Sequence, residues 1–388
     1  MLGYPQRGRG PLQTQLLPKH LYSLDVLRGI AALAVVFWHW KHFLVYGTGL
    51  DLEFINFPEL DYDRQPLFPL FEPFYSQGIR AVDLFFCISG FVFYWLYSNR
   101  VREGEVDLRQ FSVLRFSRLY PLHFVTLITV ASLQAFILVE QGRFFIFETN
   151  DFYHFILSLF FLSGLGLGSP YSFNAPVWSV SAEVLVYFLF FAACRRGWAR
   201  PWQLAFFVSV GFLLQEASLP ANFDAYGGRV MIGRCVAGFF IGGLTFYLAR
   251  YLLKRGLSRG FRVAIFGLSI FLWWAAPDRH LGLFYTVVLY PMTLLSLVML
   301  ETWVRLPLRR LSWLGDISYS IYLIHFPLQI LLVIMLPLLG MNPDFFFTPT
   351  ALFAFFGVLI ALGLASFHWL ERPAEEWLRN RLLERGNP

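Results

Sequence analysis

Residues 24–40 read LDVLRGIAALAVVFWHW, an apolar run of spanning length that carries Arg28 and His39 eleven positions apart. Helical residues advance about 100° each, so eleven steps make three turns plus about 20° and the two side chains share one face. Eleven rises separate them by roughly 16 Å along the axis, about half of a bilayer's hydrocarbon thickness. One helix face therefore carries a fixed cation near one membrane surface and a titratable imidazole well inside the membrane or towards the other surface. Ionisable groups at such depth are costly and normally face a polar interior, which makes this stretch the first place to seek a site.

The whole chain fits that setting. Of its 388 residues, 57% are hydrophobic, 19% aromatic and only 14% charged, and mean hydropathy is +0.56. A soluble domain does not carry this composition; an all-α integral membrane protein does. The first twenty residues are polar and basic, and no small-residue cleavage site follows the first apolar run, so that run is expected to be retained. Cys87, Cys194 and Cys235 lie in or beside apolar segments and suit packing rather than disulfides or zinc. The net charge of +6 is a matter of topology and does not call for nucleic acid.

Apolar segments of spanning length occur at about 24–45, 78–98, 119–139, 176–194, 201–219, 230–253, 263–277, 281–301, 317–337 and 349–370. They predict about ten transmembrane helices. The run at 152–168, FYHFILSLFFLSGLGLG, is short and ends in glycines. With ten spans, 23 Lys and Arg fall on the side of the two termini against seven on the other, whereas an eleventh span at 152–168 turns 15 of the 23 outward. The segment is therefore expected to be re-entrant, with both termini cytoplasmic. Residues 1–20 form an N-terminal tail, 21–373 one membrane domain and 374–388 a C-terminal tail. The first outer loop, 46–77, is acidic and aromatic, with Asp51, Glu53, Phe54, Phe57, Glu59, Phe68, Phe71, Phe74 and Tyr75 among its residues. Such a surface suits sugar rings and the membrane interface alike.

Few ionisable residues lie at membrane depth: Arg28, His39, Asp83, Glu183, Arg234 and His325. Each reads either as an internal ion pair that fixes packing or as part of a site. A neutral imidazole at His39 accepts a proton at physiological pH, and Glu183 or Asp83 is the expected carboxylate to orient it. His42 follows three residues later, but no further ligand cluster accompanies it, so no metal is expected. RFSRLYPLH, 115–123, places Arg115 and Arg118 on one helical face at the level of Arg28, where guanidiniums can clamp the phosphates of a cytosolic ligand or anchor lipid headgroups. FFCISGFVF, 85–93, puts Ser89 and Gly90 where small residues permit close helix approach. VWSVSAEVLVYF, 177–188, brings Trp178, Ser179, Ser181 and Glu183 into the fourth span.

Together LDVLRGIAALAVVFWH, DLFFCISGF, RFSRLYPL, WSVSAE, GDISYSIYLIHFPL and the closing ERP at 371–373 resemble, in order, the motifs of the acyltransferase-3 family of integral membrane acyltransferases. The resemblance runs from about residue 21 to 373. It implies ten core helices and transfer of an acyl group, commonly acetyl from cytosolic acetyl-CoA, to a hydroxyl of an exported or lipid-linked glycan. The family's arginine-x10-histidine motif falls on Arg28 and His39, and its arginine-x-x-arginine motif on Arg115 and Arg118. The implied donor site holds Arg28, Arg115, Arg118, Ser89 and Tyr120, and the implied catalytic set is His39 with Glu183 or Asp83. Trp178, Ser181 and His325 are the expected acceptor contacts, although His325 reads equally as a packed histidine.

Two features depart from common family patterns. The sequence ends about fifteen residues after ERP, where many relatives carry an esterase-like domain, so a stand-alone form is expected, and Val184 stands where relatives often have a second acidic residue after Glu183. An acyl-histidine intermediate would give ping-pong kinetics, and direct attack would not. A macrolide-like acceptor competes with a glycan. A transporter or flippase would also bury charges in such a bundle, but no inverted repeat is evident. Membrane lipids and a carbohydrate acceptor are the expected partners, in a bacterial inner membrane.

Overall fold

Helix α1 (Tyr22–His39) starts without a capping side chain of its own. Its first amides are satisfied from across the bundle: Tyr22 N and Ser23 N donate to the Glu301 carboxylate at 2.8 and 2.9 Å, and the Ser23 hydroxyl donates to it as well. Placing a carboxylate at a helix N-terminus satisfies orphan N–H groups and favours the macrodipole. Just outside this end, His20 hydrogen-bonds Asp25, which holds the His20 imidazole above its usual pKa. The computed structural model that shows this describes residues 17–46, 61–216, 223–276, 282–304 and 307–384. Asp51, Glu53, Phe54, Phe57 and Glu59 of the expected outer loop lie outside the described residues.

The main further helices lie mostly on the apolar segments. They are α2 (Ala81–Leu96), α3 (Leu108–Gln141), the short α4 (Phe152–Leu159), α5 (Val177–Arg195), α6 (Pro201–Glu216), α7 (Phe223–Arg255), α8 (Arg259–Trp274), α9 (Tyr290–Glu301), α10 (Ser318–Leu338), α11 (Pro349–Ser366) and α12 (Arg372–Glu384). Among the described residues eight helical segments are long and apolar enough to cross a membrane. α6 and α8, each 16 residues, occupy the other two expected spans. The architecture is all-α, and no strand occurs among the described residues.

Helical structure runs past the apolar boundaries in three places. The second spanning segment is Phe68–Leu96, so residues 68–77 of the expected outer loop are helical. Phe71, Phe74 and Tyr75 there pack their rings around Phe37 of α1. Helix α3 extends 34 residues and includes Arg115 and Arg118, while the last spanning segment continues through a π-helical turn at Phe367–Glu371 into α12. Backbone hydrogen bonding continues into water where hydropathy ends.

The run after residue 151 behaves as its charge pattern predicts. α4 has 8 residues, only about 12 Å of rise, and does not cross a bilayer. Asp151 caps it, accepting from His154 N at 2.9 Å, and the bonds to His154 hold the Asp151 carboxyl below its usual pKa. The chain then turns at Phe161, φ 56°, and rests against α5. Ser163 Oγ lies 3.1 Å from Ser181 Oγ, and a Cβ on Gly164 would stand 2.2 Å from the Trp178 carbonyl oxygen. Irregular backbone at this depth is tolerated because protein buries it.

A close helix contact joins α2 and α7, where a Cβ on Gly90 would fall 1.7 Å from the Phe239 carbonyl oxygen. Backbone cannot yield by that amount, so Gly90 fixes the approach of the two helices. We expect Gly90→Val to abolish the monodisperse peak of the detergent-solubilised protein in size-exclusion chromatography. Gly267→Ala, where nothing lies within 4 Å of the added atom, should leave the peak unchanged; equal profiles for the two variants would contradict the assigned contact.

Candidate functional site

At one end of α1, Arg28 joins a cavity lined also by Ser89 of α2, Arg115 and Arg118 of α3, Ser179, Glu183 and Tyr187 of α5, and Ser318, Tyr319 and Tyr322 of α10. Its charged lining is three guanidiniums and one carboxylate. Helical spacing explains the convergence: Arg115 and Arg118 share a face of α3, as Ser179 and Glu183 do of α5. The three guanidiniums stand in different surroundings. Arg115 donates to Tyr97 Oη at 2.7 Å and lies over the Phe93 ring at 4.9 Å. Arg118 pairs with Glu375 of α12 at 3.7 Å. Arg28 lines the cavity with no hydrogen bond or ion pair among the described residues. Glu183 accepts a hydrogen bond from Ser89 Oγ and lies in the field of Arg28 and Arg115.

Eleven residues along α1, half-buried His39 enters a second centre. Its Nδ1 lies 2.9 Å from the Val35 carbonyl oxygen. A carbonyl only accepts, so Nδ1 carries the proton and, in the neutral ring, Nε2 carries the lone pair. The His39 ring is 4.9 Å from that of His325 and 5.1 Å from that of His42. His325 is fully buried, with Nδ1 3.3 Å from the Ile321 carbonyl and Nε2 without a partner among the described residues.

Tyr322 reaches both centres. It lines the arginine cavity, and its ring stands 6.1 Å from that of His325. Its hydroxyl is fixed by Ser179 Oγ at 2.7 Å and the Pro176 carbonyl at 2.9 Å. Nearby, Pro327 leaves the Leu323 carbonyl without its helical donor, and Asn174 Nδ2 supplies one at 3.0 Å.

A profile of the acyltransferase-3 family, described as an acyltransferase domain, matches residues 21–369. The chain belongs to this family. A curated relative, protein 2 in picA locus of Rhizobium radiobacter, is 31% identical over 119 residues, which make up 31% of this chain and 48% of the relative. The chain thus spans about half the length of that relative. No solved structure matches. The protein is a multi-pass membrane protein of an acyltransferase family.

Within this family member, several expected site residues stand elsewhere than anticipated. Neither Asp83 nor Glu183 orients His39: the ring's Nδ1 is taken by backbone, Glu183 belongs to the arginine cavity, and Asp83 is the partner of Arg234. Arg234 Nε and Nη2 bind the Asp83 oxygens at 2.9 and 3.1 Å, with the guanidinium 5.4 Å from the Trp178 ring. Trp178 and Ser181 are buried and do not line the cavity; Trp178 packs against Phe86, and Ser181 donates to the Val177 carbonyl at 3.2 Å. Tyr120 stacks on Phe116 at 4.5 Å and is not part of the lining either. Ser89 and His325 do stand at the two centres. Ser179, marked in the sequence by its i,i+4 relation to Glu183, lines the cavity, and so does Tyr322, which no signal in the sequence singles out.

The Asp83–Arg234 pair is structural in this arrangement. Removing one partner leaves an uncompensated charge inside the bundle, so Asp83→Ala should lower unfolding stability by about 3–5 kcal/mol. The double replacement Asp83→Leu/Arg234→Met should recover most of that loss in thermal unfolding of the purified protein. A single variant as stable as wild type would contradict the assignment.

Proposed function

We propose that this acyltransferase moves acetyl from cytosolic acetyl-CoA to a hydroxyl of an exported or lipid-linked glycan. The observation that carries the donor assignment is the convergence of Arg28, Arg115 and Arg118 on one cavity with a single carboxylate. Guanidiniums bind phosphate bidentately and more strongly where water is scarce, and Arg28 keeps its donors unengaged among the described residues. The cavity volume of about 120 Å³ is below that of a cavity that holds one benzene ring, about 150 Å³. On this reading the nucleotide stays outside, its phosphates reaching the arginines, and only a slender chain goes in. The pantetheine arm has that shape, and it brings the thioester past Tyr322 towards His39.

His39 then acts as general base. Its Nε2 takes the proton of the acceptor hydroxyl while the oxygen attacks the thioester carbonyl carbon. The C–O bond forms, the C–S bond breaks, and the departing thiolate takes the proton from His39. The single carboxylate, Glu183, balances charge among the arginines and leaves the proton transfer to the imidazole. The 23 to seven distribution of Lys and Arg supports a plasma-membrane orientation with both termini in the cytoplasm, the side on which acetyl-CoA is found.

The test is transfer from labelled acetyl-CoA to endogenous glycan in membranes holding the full chain at matched expression. His39→Ala should lower the rate by at least about 10²-fold while CoA binding persists. The pair Arg115→Ala/Arg118→Ala should raise the KM for acetyl-CoA. Undiminished labelling with both variants would overturn the proposal.

A further inference from the structure

The α1 helix stops at His39, and the reason lies on another helix. The Trp40 amide donates back to Phe37 and the Phe43 amide to Trp40, so the His39 carbonyl loses the Phe43 donor that a continuous helix gives it. Gln329 of α10, fully buried, donates from Nε2 to that carbonyl at 2.9 Å. Because a carbonyl only accepts, the amide nitrogen must face it, and Oε1 therefore faces His42 Nδ1 at 2.9 Å. His42 Nδ1 is thus the donor of that bond. One side chain fixes the peptide carbonyl of His39 and the tautomer of neutral His42.

We infer that Gln329 is the positioning residue of His39, holding the broken end of α1 so that the imidazole faces His325. This rests on the reading of His39 as the base. Gln329 lies one turn after His325 on α10, so a single helix face supplies the ring opposite His39 and the amide that anchors its backbone. Without the amide, the His39 carbonyl regains a partner by pairing with the Phe43 amide. α1 then runs on into Lys41–Tyr46, and the imidazoles of His39 and His42 swing out of register. Gln329 touches no reacting atom; its effect passes through the position of His39.

The experiment compares wild type, Gln329→Met, His39→Ala and the double variant in membranes at matched expression, with labelled acetyl-CoA as donor. Gln329→Met should lower kcat by about 10²-fold, the scale of a base displaced by about 1 Å, with the KM for acetyl-CoA unchanged. In the His39→Ala background the same substitution should cost nothing more, because both changes act on one group. Gln329→Asn keeps the amide but draws it back by one methylene, and should show the same split at reduced size if the methionine variant fails to accumulate. A raised KM, a further loss in the double variant, or full activity of Gln329→Met would overturn the assignment while leaving His39 as base. An active His39→Ala variant would defeat the reading of the site, and the assignment with it.

Discussion

The bond from His39 Nδ1 to the Val35 carbonyl, 2.9 Å long, governs what this site is able to do. It leaves the lone pair of the neutral ring on Nε2 and makes the helix itself the group that orients the base. No carboxylate is needed for that purpose, so Glu183 remains with the arginines and Asp83 with Arg234. The same helix carries Arg28 three turns away, and the distance between donor pole and imidazole is therefore set by helical rise rather than by loop geometry. A device that has to span membrane depth is most rigid when one helix is the ruler.

The surrounding bundle satisfies backbone groups that such a ruler leaves open. At one end of α1 the Glu301 carboxylate takes the first amides; at the other Gln329 takes the last carbonyl. On α10, Asn174 compensates for the amide that Pro327 lacks. Unpaired backbone groups are most costly where no water competes, which ties α1, α5, α9 and α10 into one frame. Tyr322 is held in that frame by two bonds and stands in contact with both the arginine cavity and the histidines.

Much of this was legible in the sequence. The common face of Arg28 and His39 follows from helical arithmetic, the pairing of Arg115 with Arg118 from an i,i+3 spacing, and the re-entrant course after Asp151 from the distribution of positive charge. What periodicity does not encode is partnership between distant helices. Asp83 and Arg234 are 151 positions apart, and nothing local marks them as mates. A backbone carbonyl has no letter of its own, so the Val35 acceptor was invisible, and a carboxylate was sought in its place. Gln329, fully buried, sits in an apolar run where its uncharged side chain raises no alarm. Helix ends depart from the apolar boundaries for a related reason: hydropathy reports where lipid stops, while α3 and α12 continue as hydrogen-bonded helix beyond it.

The most direct test of the account is a structure of the full chain with a non-hydrolysable thioether analogue of acetyl-CoA. The account places the phosphates of the analogue on Arg28, Arg115 and Arg118, the arm past a displaced Tyr322, and the acyl carbon close enough to His39 Nε2 for a hydroxyl to fit between them, about 5–6 Å by two contacts near hydrogen-bond length. An analogue bound away from the three arginines, or one whose acyl group ends on the cavity side of Tyr322 with His39 out of reach, would contradict it.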